Sequence, residues 1–275
     1  MCLVSILLPV YNAEKYIGDA LESLINQSYK NIEIICVDDC SSDSSGAILK
    51  AYSEKDDRVK VYHNDINLKL SATLNKAMEL ASEHSKYFAR MDADDVSLCD
   101  RIAIQVDHME TNPDIDLCGC FIEEFGARNR EVTLPVSHIE IVGKMTIKSS
   151  SVIAHPTVML KKSFFMEHKL KYDEGSNAED YDLWARSIAY YNAKVSNIPI
   201  ILLKYRVHEN QLSTKNNIRL RRDAEKARKI LANNTSKPTL VYLYIRYHNY
   251  KSSIKNIARV IIPEKIYLWI KKLWH

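Results

Sequence analysis

Apolar residues follow two alternating rhythms through the first part of the chain. Val4-Ser-Ile-Leu-Leu-Pro-Val10 and Ile32-Glu-Ile-Ile-Cys-Val37 are nearly continuous apolar runs, the pattern of strands covered on both faces. Between them, Glu14 to Gln27 places Ile17, Ala20, Leu21, Leu24 and Ile25 on one helical face. The alternation continues with a helix over 44–52, a short strand Val59–Tyr62 and a helix over 71–83 opened by a cap-competent Ser71. A fourth strand follows over Lys86–Met91. Strand–helix alternation at this spacing predicts an α/β fold with parallel strands and right-handed crossovers. Such sheets bind ligands beyond the carboxyl ends of their strands. Polar clusters lie at those ends: Tyr11-Asn12, Asp38-Asp39, and Asp92-Ala-Asp94-Asp95.

The second half is more mixed. Helices are expected over 100–111, 163–168 and 180–191, and strands over 115–125, 158–160 and 198–206. From about residue 216 the pattern is helical, basic and rich in Tyr. The 275 residues, 46% hydrophobic and 27% charged, exclude a disordered or low-complexity chain. Six glycines argue against a Gly-rich phosphate loop. No apolar run approaches the ~20 residues of a membrane span, and the opening strand-like run lacks the features of a signal peptide. Six Cys without zinc-type spacing are expected to be reduced thiols.

Charge divides the chain. Residues 216–275 hold 14 Lys/Arg against 3 Asp/Glu, whereas residues 1–215 hold 24 against 32. The organisation expected is a catalytic body over 1–215 and a basic helical extension over 216–275. A basic extension on an acidic body suits an anionic surface, membrane or nucleic acid, or is simply a solvated face. In Pro263–His275, Ile266, Trp269, Ile270, Leu273 and Trp274 share a helical face flanked by Lys265, Lys271 and Lys272. That composition fits an interfacial anchor, or a helix packed on the body.

Four clusters can carry chemistry. Asp92, Asp94 and Asp95 repel one another at a strand end, which a divalent cation relieves; an ordinary acidic turn reads equally well. Asp38 and Asp39 can bond a nucleobase or cap a helix. Glu179 and Asp180, at the start of a helix, suit either a general base or the helix dipole. Arg206 can neutralise phosphate, and His208 can ligate metal or donate to phosphate.

Taken in order, Ser5-Ile-Leu-Leu-Pro-Val-Tyr-Asn12, Gln27-Ser-Tyr-x-Asn-Ile-Glu-Ile-Ile-x-Val-Asp-Asp39, Met91-Asp-Ala-Asp-Asp95, Glu179-Asp180 and Tyr205-Arg-x-His208 resemble a family 2 glycosyltransferase. The resemblance spans about 3–213, and His155-Pro-Thr-Val-Met159 adds to it. It implies a GT-A, Rossmann-like, mixed but mainly parallel sheet flanked by helices. By the same resemblance, Pro9, Val10 and Tyr11 would line a uracil pocket and Asp39 would bond the base. Asp92 would face the ribose and metal, and Asp94 would be the main ligand of Mn2+ or Mg2+, with His208 near it. Asp180 would be the catalytic base, Glu179 would orient a sugar, and Arg206 and His208 would close over the diphosphate. The family often has Asn-x-Gly-Leu-Ser where this chain has Asn67-Leu-Lys-Leu-Ser71. Lys69 therefore puts the loop shape in question, or adds a charge near the phosphates.

The expectation is an inverting enzyme that uses a UDP-sugar and a divalent metal. It would add a hexose or N-acetylhexosamine in β linkage to a lipid-linked glycan of lipopolysaccharide, O-antigen or capsule. It would work at the inner face of the bacterial cytoplasmic membrane, bound to an anionic surface and to no nucleic acid. The alternatives are a nucleotidyltransferase, whose basic phosphate loop is missing near the first strand, and a nucleic-acid binder acting through the basic extension, which leaves the acidic clusters without a role.

Overall fold

A computed structural model describes residues 1–147, 152–208 and 218–235. The first four strands are β1 (Leu3–Val10), β2 (Ile32–Asp38), β3 (Val59–His63) and β4 (Ser85–Arg90). They lie side by side in the order β3-β2-β1-β4, every pairing parallel, with Ile6 opposite Ile34 and Ala89. Between them run α1 (Ile17–Ile25), α2 (Ser45–Ser53) and α3 (Lys69–Leu80). β1 shows why the run is continuously apolar. Val4, Ile6 and Leu8 pack on Ile17, Leu21 and Leu24 of α1 on one face, while Leu7 joins Leu74, Ala77 and Met78 of α3 on the other. With both faces covered, no position is left for a solvated side chain.

The second half continues the same sheet with mixed polarity. Its strands are β5 (Val96–Ser97), β6 (Leu117–Gly126), β7 (Arg130–Val132), β8 (Met159–Lys161) and β9 (Val195–Val207). β8 is antiparallel to both β4 and β6, β9 is parallel to β6, and β5 and β7 add short antiparallel edges. β9 begins earlier than the apolar run implies and carries Pro199 in its interior. The ladder slips there, with Ile198 opposite Cys120 and Ile201 opposite Phe121, so Pro199 sits in a bulge where no ladder donor is needed. The helices are α4 (Arg101–Thr111), α5 (His138–Ile147), α6 (Lys162–Glu167), α7 (Glu179–Tyr191) and α8 (Ile218–Asn234), with a 3₁₀ turn at His155–Thr157.

Three boundaries depart from the sequence pattern. α1 starts at Ile17 rather than Glu14, because the segment before it forms a turn tied to Ser41, Asp43 and Ser45. α3 starts at Lys69, so Ser71 lies inside the helix and caps nothing. The strands β5 and β7, and α5, are not evident in the apolar pattern. α8, which lies beyond residue 215, places Ala224, Ala227 and Leu231 in the same core as Trp184 and Ile188 of α7. The Trp/Lys stripe of 263–275 lies outside the described residues. Among those described, no helix is long and apolar enough to cross a membrane. All six cysteines are unpaired.

Candidate active site

The carboxyl end of β4 delivers the acidic turn. One carboxylate oxygen from each of Asp92, Asp94 and Asp95 lies within 4.8 Å of the others. Their surroundings differ. Asp92 is gripped on both oxygens by the Arg90 guanidinium, with Nη1 at 2.8 Å from Oδ2 and Nη2 on Oδ1. Arg90 is 2% exposed, and its carbonyl accepts a 2.5 Å bond from Nη2 of the buried Arg101. Asp94 lies 2.9 Å from His208 Nε2. Asp95 is fully buried: Oδ1 accepts the Arg206 N–H at 2.9 Å, and Oδ2 has no partner among the described residues. Burial, reinforced by Asp92 and Asp94, holds the Asp95 carboxyl well above its usual range. Burial also raises Asp92 against the pull of Arg90, with Asp94 adding to the rise. A cluster this crowded, with an unbonded buried carboxylate oxygen, offers the hard oxygen donors that Mg2+ or Mn2+ takes.

Arg206 is engaged from every side. Its Nε donates to the Asp94 carbonyl at 2.8 Å and its Nη2 lies 3.0 Å from Asp19 Oδ2. Its guanidinium sits between the rings of Tyr16 and Phe125, at 4.6 and 4.5 Å from their centroids. In this structure Arg206 ties β9 to α1 and to the acidic turn.

The ends of β1 and β2 make the neighbouring rim. Pro9 and Val10 are buried, whereas Tyr11 is 53% exposed just beyond them. Asp39 is buried and already holds three donors: Asn64 Nδ2 at 2.8 Å, Leu68 N–H at 2.7 Å and Lys69 N–H at 2.9 Å. It thus caps α3, the next helix but one, rather than the α2 that follows it. Lys69 adopts φ +72°, the left-handed conformation in which Gly costs nothing. The loop keeps that turn with a lysine, and the Lys69 side chain is exposed.

Glu179 and Asp180 open α7. Asp180 Oδ1 accepts the Tyr181 N–H at 2.6 Å. Burial raises its carboxyl, while that bond and Arg90 pull the other way. Burial, then the charge of Asp180, lifts Glu179 to about 7. Arg90 N–H donates to the Val158 carbonyl at 2.9 Å, beside the 3₁₀ turn whose His155 Nδ1 lies 3.9 Å from Glu179 Oε1. The start of α7 thus comes up beside the acidic turn, and the charges of Arg90 and Asp92 act on Glu179. The structure therefore gathers Asp92, Asp94, His208, Glu179 and Asp180, with Arg206 behind the turn, while Pro9, Val10, Tyr11, Asp39 and Lys69 form the adjoining rim.

The sequence pattern assigns no role to Arg90 or Arg101, which carry the turn together with Asp95, nor to Tyr16, Asp19 and Phe125, which hold Arg206. Arg90 alone had a visible signal: a cation closing an otherwise apolar strand, two residues before the first carboxylate.

Residues 5–167 match the family described as Glycosyl transferase family 2. An uncharacterized glycosyltransferase of Haemophilus influenzae is 34% identical over 224 residues, covering 77% of this chain and 68% of that protein. The O-antigen biosynthesis glycosyltransferase WbnJ of Escherichia coli is 35% identical over 215 residues, 75% of this chain and 80% of that protein. Among solved structures, S. aureus TarS 1-349 in complex with UDP-GlcNAc has a TM-score of 0.69 at 19% identity, covering 88% of this chain and 72% of that one. The mannosyltransferase PcManGT from Pyrobaculum calidifontis, in complex with GDP-Man and Mn2+, has a TM-score of 0.60 at 15% identity, covering 89% and 79%. The fold is that of the GT-A glycosyltransferases. A family match over more than half of the chain, joined to relatives one-third identical along most of its length, makes this protein a member of glycosyltransferase family 2.

Proposed function

We propose that the chain is an inverting hexosyltransferase that moves a hexose or N-acetylhexosamine from a UDP-sugar to a hydroxyl of a surface glycan, forming a β linkage. The observation that carries this reading is the pairing of two unlike carboxylate groups across one site: an acidic turn at the end of β4, and Glu179 and Asp180 at the start of α7. WbnJ, named for O-antigen biosynthesis, and TarS, solved with UDP-GlcNAc, support the substrate classes.

In this reading the uracil lies at Pro9, Val10 and Tyr11, with Asp39 at the base and Lys69 at the mouth. Asp94, with Asp92 and His208 beside it, would hold Mn2+ or Mg2+, which when bound neutralises the diphosphate and makes it a better leaving group. Arg206 keeps the turn in place behind them. Asp180 accepts the proton of the acceptor hydroxyl as its oxygen attacks the anomeric carbon from the face opposite the diphosphate. The new C–O bond forms as the bond to UDP breaks, and UDP leaves with that electron pair. One displacement inverts the centre, so one base suffices and no carboxylate nucleophile is needed.

The acceptor in this proposal is lipid-linked, and the basic extension holds the enzyme at the inner face of the cytoplasmic membrane. UDP release from a panel of UDP-sugars with Mn2+, followed by mass and anomeric analysis of the product, tests the function. No release from any nucleotide sugar, or a product of retained configuration, overturns it. Co-sedimentation of the full chain and of a chain ending at 262 with anionic liposomes tests the membrane part. Equal sedimentation of the two sinks the anchor.

A further inference from the structure

Behind Glu179 lies a buried polar chain that none of the roles above uses. His155, in the 3₁₀ turn, is 8% exposed. Its Nε2 lies 3.0 Å from the Tyr172 hydroxyl and its Nδ1 lies 3.9 Å from Glu179 Oε1. Tyr172 is 2% exposed and cannot drift: Asn75 of α3 accepts from its N–H at 2.9 Å and donates to its carbonyl at 3.0 Å. Trp184 packs its ring edgewise on His155 at 6.0 Å. The imidazole is therefore held in plane, with one nitrogen on a phenol and the other facing a carboxylate.

Burial keeps the Tyr172 hydroxyl protonated, and among the described residues His155 Nε2 is the one hydrogen-bond acceptor within its reach. The tautomer that satisfies this O–H has Nε2 accepting and the ring proton on Nδ1, facing Glu179. Burial keeps the ring neutral, so it offers one directed N–H rather than a charge. The remaining gap of about one ångström to a hydrogen bond closes by turning the terminal torsion of Glu179, which is soft.

We propose that His155 is a positioning residue for Glu179: Tyr172 sets its tautomer, and the Nδ1–H holds the Glu179 carboxylate in the orientation used at the sugar. This rests on the reading of Glu179 and Asp180 as the pair that meets the sugars. Besides His155, the charged groups felt at Glu179 are Asp180 on its own helix and Arg90 and Asp92 at the end of β4.

The test is a titration that needs no substrate. In the full chain carrying 13C-carboxyl glutamate, the Glu179 signal is assigned by its loss in Glu179→Gln. Its midpoint in the parent protein is expected at about 7. Tyr172→Phe frees the tautomer, and His155→Leu removes the donor. Each destabilises the anion and should raise the midpoint by about half a unit or more. His155→Gln keeps an N–H donor and should stay near the parent value. In the transfer assay at pH 7, Tyr172→Phe should lower kcat by about tenfold. A midpoint unmoved in folded Tyr172→Phe and His155→Leu overturns the proposal. If His155→Leu does not fold, Tyr172→Phe decides alone. Near-normal transfer by Asp180→Asn overturns the underlying reading instead, so the two failures are told apart.

Discussion

The two acidic rims of the site are held in different ways. On the parallel half of the sheet, carboxylates arrive already supplied with donors: Asp39 with three, and Asp92 with both prongs of Arg90. At the start of α7, Glu179 and Asp180 are supported almost entirely by backbone N–H groups, and burial raises both. Burial raises carboxyls on both rims, Asp92 and Asp95 at the turn as well as Glu179 and Asp180 at the helix start. What differs is the support: Asp92 is clamped by a guanidinium that fixes both of its oxygens, whereas no side-chain cation holds Glu179 or Asp180 among the described residues. The first rim is thus fixed in place, and the second presents raised carboxyls of the kind that exchange protons.

The sharpest way to break this contrast is to remove the proposed proton acceptor alone. Asp180→Asn is nearly isosteric and should lower transfer by at least ~10²-fold, the low end for loss of a general base. UDP binding, measured by calorimetry, should stay close to the parent value, because the proposed nucleotide site lies on the other rim. A folded Asp180→Asn with near-normal turnover removes Asp180 from the role.

The reverse experiment is Asp94→Ala. It should weaken Mn2+-dependent UDP binding by about tenfold or more, equal to ~1.4 kcal/mol or more, with the metal-free affinity little changed. EDTA should abolish transfer by the parent enzyme. Full activity in EDTA contradicts the metal reading and moves the charge compensation to Lys69, His208 or Arg206.

Much of this arrangement was legible in the sequence, for local reasons. β1 and β2 announce themselves because both of their faces are covered, so every position must be apolar. The carboxylates could be found because they lie at strand ends, where such sheets bind ligands. What could not be read depends on partners far away in the chain. β5 is two residues long and exists only because Leu203 and Lys204 of β9 lie beside it. Ser71 had the chemistry of a cap, but the cap of α3 is Asp39, about thirty positions earlier. Arg206 is legible as a cation suited to phosphate, but nothing local reveals Tyr16, Phe125 and Asp19 around it. His155 acquires its meaning only when α7 brings Glu179 to it.

A smaller effect sharpens the second rim. Glu179 ionises at about 7 in the folded protein, above the ordinary glutamate value, because of burial and then Asp180. A carboxyl raised on folding contributes stability while it is protonated, and loses that contribution as pH rises through the folded value. Glu179→Gln cannot ionise. It should therefore be more stable than the parent at pH 8, with the difference closing towards pH 5. Thermal melts across that range measure it, and a difference that grows on acidification contradicts the sign.

The smallest effect tests how the first rim tolerates one of its local misfits. Lys69 takes φ +72° so that its N–H and that of Leu68 both reach Asp39. A side chain in this region costs about 1 kcal/mol, which Gly does not incur. Gly in turn makes the unfolded chain more disordered, by about 0.4–1 kcal/mol. The two terms nearly offset, so Lys69→Gly should range from neutral to about 0.6 kcal/mol more stable, a Tm gain of a few degrees at most. Lys69→Ala keeps the strain and removes the charge. Both variants lose the ammonium, so a shared fall in UDP affinity reports the charge near the phosphates. Any difference between them in melting temperature reports the backbone. If Lys69→Gly melts below Lys69→Ala, the left-handed turn is not a source of strain. The lysine would then be an ordinary occupant of a rim whose shape Asp39 dictates.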